Sequence, residues 1–101
     1  MARQNKIPLD AIVATLTDSA WIGVGHLSQL SVHVFGIVST DIVQIEGSNE
    51  DTPTNGIKIG ADVTADELRG IDPIPDKLRV RITAVAGGGT ITAIVAGNVA
   101  P

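Results

Sequence analysis

The chain has 101 residues and a net charge of −4, with no cysteine and only Trp21 and Phe35 as aromatic side chains in a composition that is 44% apolar. The missing cysteine excludes disulfides, thiolate nucleophiles and Cys-ligated zinc, and the acidic balance argues against duplex nucleic acid, which is held by clustered Lys and Arg. An aliphatic core in one small domain gives a stability near the low end of about 5–15 kcal/mol, which assembly with itself or with a partner would raise.

Residues 1–8 (MARQNKIP) are polar, carry Arg3 and Lys6 and end at a proline. They are expected to form a flexible N-terminal arm, followed by a single β-sandwich domain over 9–101. No charged segment followed by an apolar run and a small-residue cleavage site opens the chain, so no secretion signal is expected. Leu9 to Thr17 reads as a first strand with Ile12, Ala14 and Leu16 on one side, and Ala20 to Val24 as a short strand around Trp21. Trp21 itself is expected as a core anchor, in preference to an interface hot spot.

The stretch from Leu27 to Ser48 reads as two strands facing each other across a turn. Leu30, Val32 and Val34 alternate with Gln29, Ser31 and His33, and Val43 and Ile45 alternate with Gln44 and Glu46, a period of two. Ser39, Thr40 and Asp41 supply the turn chemistry between them. Ser48 to Gly56 (SNEDTPTNG) holds no apolar residue and is a loop, and Ile57 and Ile59 mark a brief strand.

Thr64-Ala65-Asp66-Glu67 has the spacing of a capping box, and Gly70 is a natural stop, so one short helical turn is expected near 64–69. Pro73 and Pro75 then hold Ile71 to Pro75 extended. Lys77 to Val85 is the clearest strand, with Leu78, Val80, Ile82 and Ala84 inward and Lys77, Arg79, Arg81 and Thr83 outward. Ala86 to Gly89 turns the chain, and Thr90 to Ala96 returns with Ile91, Ala93 and Val95 buried, as a hairpin. The apolar tail from Ala84 to Ala100 is broken by glycines, Thr90, Thr92 and Asn98, unlike a membrane span of about 20 apolar residues. Seven short strands predict an all-β fold, a small antiparallel β-sandwich of jelly-roll or immunoglobulin-like type.

The chemistry-bearing residues read blandly. His26 lies at a strand entrance and His33 on a polar strand face, with no nucleophile elbow such as G-x-S-x-G. Glu46, Asn49, Glu50 and Asp51 lack the alternate spacing of a calcium loop. Gly87-Gly88-Gly89 is followed by a strand, without the lysine and helix of a phosphate loop. No catalytic residue, cofactor or metal is assigned, and no enzyme activity is expected. Arg79 and Arg81, with Lys77, form a basic stripe that is a solvated or salt-bridged face by default and a protein interface second.

The order of three segments carries a resemblance: L-S-Q-L-S-V-H-V-F-G, then I-V-Q-I-E-G-S-N-E-D, then P-D-K-L-R-V-R-I-T-A before a glycine turn and a last Thr/Val strand. Between about Leu16 and Gly97 the chain resembles the small β-sandwich structural proteins of tailed bacteriophages, where V-x-I-E-G-S-N-D and L-R-V-R-I-T strings recur. Here Glu50-Asp51-Thr52-Pro53 replaces the usual turn glycine and aromatic, which weakens any ligand pocket in that loop. The resemblance implies a virion protein of the capsid decoration (cement) type, made in the host cytoplasm and placed on the capsid exterior. Its implied partners are the major capsid protein and further copies of itself, as a trimer, with no nucleic acid and no membrane. Arg3, Lys6, Ile7, Leu9, Arg79 and Arg81 are the candidate partner contacts. The alternatives are a carbohydrate- or receptor-binding module of a tail or fibre, and a neck or tail structural protein.

Overall fold

A computed structural model describes residues 2–13, 16–86 and 89–99, the first of these as backbone except at Gln4 and Asn5. Among the described residues there are nine strands and no helix: β1 (Ala2–Val13), β2 (Thr17–Asp18), β3 (Ile22–Gly23), β4 (Leu27–Phe35), β5 (Ile42–Ser48), β6 (Ile57–Lys58), β7 (Glu67–Gly70), β8 (Lys77–Ala84) and β9 (Thr90–Val99). They form a small antiparallel β-sandwich. One sheet runs β1-β9-β4-β7; the other runs β2-β8-β5-β6, with β3 also on β8.

Period-two alternation decides which side chains face between the sheets. Val32 and Val34 of β4, Val43 and Ile45 of β5, Leu78, Val80 and Ile82 of β8, and Ile91, Ala93 and Val95 of β9 are all buried, as the pattern predicts. Val24, Val63 and Ile71 join them from the connections, and the buried cluster holds no aromatic ring. Each buried Val, Leu or Ile side chain contributes about 1.5–3 kcal/mol on burial.

Strand pairing departs from the sequence reading in a consistent way. β4 and β5 do not pair with each other: β4 lies between β9 and β7, while β5 lies between β8 and β6. The expected hairpin between β8 and β9 is likewise absent, since these strands belong to opposite sheets. Both connections cross the sandwich. A greasy face satisfied across the core, rather than beside a sequence neighbour, gives the same alternation, so periodicity alone does not distinguish the two.

The crossings are built together at one end of the sandwich. Gly36 leaves β4 at φ +90°, and a Cβ there would stand 2.0 Å from the Thr90 carbonyl oxygen, a space only glycine fits. Asp41, 1% exposed, accepts from the Val38 N–H at 3.1 Å and from the Ala86 N–H at 2.6 Å, so one carboxylate ties the β4–β5 crossing to the β8–β9 crossing.

Other expectations are corrected. The segment expected as an arm has its residues 2–8 within β1, which pairs with β9 from Ala2↔Val99 to Val13↔Thr90 through two register shifts. The helical turn near 64–69 is not formed. Glu67–Gly70 is an edge strand on β4, because a six-residue helix must bear the full cost of nucleation while an open ladder offers partners at once. Glu67 and Arg69, two apart and so on one strand face, pair at 2.9 Å. Leu16, expected within the first strand on one side with Ile12 and Ala14, lies between β1 and β2 and is 70% exposed. The shared side expected of the Ile12 and Ala14 side chains, and the turn at Gly87-Gly88, lie outside what is described.

Candidate interaction site

The two arginines of the basic stripe on β8 are engaged internally. Register places Glu46 of β5 opposite Arg79 and Gln44 opposite Arg81, on the outer face of the five-stranded sheet. Glu46, 7% exposed, accepts from Arg79 Nε at 2.8 Å and from Arg81 Nη1 at 3.2 Å, and Arg81 Nε reaches Asp18 at 2.8 Å. The Asp18 and Glu46 carboxylates hold the Arg81 guanidinium charged beyond its ordinary range. Trp21 is not a core anchor: half-buried, it lies beneath the Arg79 guanidinium, 4.6 Å from the ring centroid. Gly56 packs against the same ring and Glu46.

The other candidates sit elsewhere. Arg3, Lys6 and Leu9 fall on β1, opposite Asn98, Val95 and Ala93, and Ile7 falls at the register shift between Lys6 and Leu9. β1 is the edge strand of the four-stranded sheet, so these positions and the β8 arginines lie on different sheets. His33 is exposed on β4 with its ring 4.9 Å from Phe35, and His26 Nε2 meets Gln4 Oε1 at 2.8 Å. Among the described residues, no group of three His, Cys, Asp or Glu is placed to hold a metal ion.

The concave feature that sequence reading missed lies at the end of the sandwich opposite the two crossings, where β5 ends and β8 begins. A cleft of about 410 Å³ opens there between the loop after β5 and the segment leading into β8. Ile57, Ile59, Pro73, Ile74 and Pro75 line it over Gly47. A Cβ on Gly47 would meet Pro75 Cγ at 2.8 Å and Ile59 Cδ1 at 2.9 Å, so the absence of a side chain there lets the two sides close on the cleft floor. Ile57, on edge strand β6, is 71% exposed. The signal available in the sequence was the spacing of Ile57, Ile59 and Ile74 near Pro73 and Pro75, but their convergence depends on β6 pairing with β5.

The rim is acidic and internally ordered. Glu50 accepts from the backbone N–H groups of Asn55 at 2.8 Å and Thr54 at 3.0 Å, which hold its carboxyl below the usual glutamate range, with the Asn55 and Ser48 side chains adding to the effect. Asn49 Oδ1 accepts from the Asp76 N–H at 2.9 Å, joining the loop to the segment before β8. Asp72 is exposed on the other side of the cleft.

No protein-family model matches this chain, and no curated protein matches it. Among solved structures the fold is similar to that of the SPBc2 prophage-derived protein YomS, with a TM-score of 0.70 and 17% identity over 95% of this chain and 94% of that one.

Proposed function

We propose that the protein is a non-enzymatic structural protein of a tailed-phage virion, a decoration or cement protein that binds the outer capsid surface and holds neighbouring major capsid subunits. The observation that carries this reading is the cleft: an aliphatic concavity with Ile57 exposed on its edge, in a sandwich whose strand-borne charges are largely engaged with one another. Such a surface offers adhesion rather than bond chemistry. The fold shared with a prophage-derived protein over nearly the whole of both chains fits a phage setting. Trimerisation at threefold positions would add avidity without stronger single contacts, and β1, as a sheet edge bearing Arg3, Lys6, Ile7 and Leu9, is suited to strand addition. Arg79 and Arg81 are left out of this contact set because Glu46 and Asp18 already engage them. Sugar binding by stacking is disfavoured, since Arg79 occupies one face of Trp21.

The test is to mix purified protein with expanded empty capsids of the phage that encodes it and image them by electron cryomicroscopy. Ordered density repeated at capsid symmetry axes is expected. Binding at a single vertex would replace this reading with a neck or tail role, and bare capsids would end it.

A further inference from the structure

We infer that the cleft between β6 and the 72–75 segment receives an extended segment of a partner protein that presents an aliphatic or proline side chain beside a lysine or arginine. This rests on the adhesive reading above and specifies the chemistry of its partner. The volume, about 410 Å³, suits a few side chains. Its apolar lining is Ile and Pro, its neutral polar residues are Ser48, Asn49 and Asn55, and the charged residues on its rim, Glu50 and Asp72, are both acidic. Glu50 is kept ionised by two backbone amides, and Asp51 beside it is exposed, in a chain of net charge −4.

Two of the rim acceptors are already engaged: Glu50 by the Thr54 and Asn55 amides, and Asn49 Oδ1 by the Asp76 amide. What the cleft offers a newcomer is therefore apolar surface and negative potential, with few fixed donors or acceptors to orient a small polar molecule. β6 is an edge strand of its sheet and contributes Ile57 to the cleft lining, so the partner's extended main chain is placed along this edge. Apolar side chains then enter between Ile57 and Ile74, with cations over the rim.

The probes are two synthetic peptides, acetyl-Lys-Leu-Pro-Ile-Lys-amide and acetyl-Glu-Leu-Pro-Ile-Glu-amide, titrated into ¹⁵N-labelled protein. The lysine peptide is expected to give saturable shifts at the Ile57, Ile59 and Ile74 amides, and to bind about tenfold tighter than its charge-reversed twin at low salt. Ile57→Ser, at an exposed position the fold tolerates, should abolish those shifts, and Asp72→Asn should narrow the gap between the peptides. Absence of saturable shifts, equal binding of both peptides, or unchanged binding by Ile57→Ser overturns the inference. Shifts at these amides on concentrating the protein alone would overturn it too, by placing a second copy in the cleft. Capsid binding with no peptide binding would remove this inference and leave the cement reading standing; the reverse would do the opposite.

Discussion

The two outer faces of the sandwich are built on opposite plans. On the five-stranded sheet, Asp18, Arg81, Glu46 and Arg79 form a continuous ion-pair ladder, and Trp21 and Gly56 cover its Arg79 end. On the four-stranded sheet, His33 lies between Leu68 of β7 and Ile94 of β9, beside Phe35, and none of the described ion pairs lies among them. Leu68 there is 70% exposed. One face has closed over its own charges, while the other keeps an apolar strip toward solvent. Charges that complete one another within a chain are poor handles for a partner, because a newcomer must break a pair to form one. The adhesion proposed above is therefore assigned to the uncovered apolar surface, at the strip or in the cleft.

Glu46→Ala breaks this contrast most severely. It leaves two arginines side by side on a largely covered face, and a loss of about 2–3 kcal/mol is expected in urea unfolding, below the full cost for a wholly buried pair because both guanidinium groups keep some water. Trp21→Ala removes the platform under Arg79 and should cost about 1–2 kcal/mol, accompanied by faster hydrogen exchange in the 49–56 loop. Asp18→Asn touches the exposed end of the ladder, where about 0.2–1 kcal/mol is expected, diminishing with added salt. Leu68→Lys, on the opposite face, should change stability by no more than about 0.5 kcal/mol, and a larger loss would show that the strip is not a free surface.

A pH titration sharpens the comparison at the cleft rim. The folded-state Glu50 carboxyl titrates below its unfolded value, so its contribution is complete above the ordinary glutamate range and is lost as pH falls through the lowered folded value. The Thr54 and Asn55 amides should lose protection from exchange over that acid window, and Glu50→Gln should remove the pH dependence there.

Alternation made the inward residues of β4, β5, β8 and β9 legible, because side-chain direction in a strand is local geometry. The Ser48–Gly56 loop was equally plain, having no apolar residue to bury. The basic residues of β8 were placed correctly on an outer face, but their partners were not foreseen. Glu46 precedes Arg79 by 33 residues and meets it only because β5 lies beside β8. Thr64 to Glu67 carried a helix-start signal that the open edge of β4 overrode.

The sequence by itself determined that this chain is an aliphatic, cysteine-free assembly of short strands, and which side of each main strand is greasy. Only the tertiary structure decided that the chain crosses between sheets after Phe35 and after Ala84, that Asp41 binds those crossings together, and that Ile57 and Ile74 meet around a cleft. A period of two specifies the direction of a side chain but not its neighbour. Neighbours are chosen by strand pairing between residues far apart along the chain, and no local pattern encodes that choice.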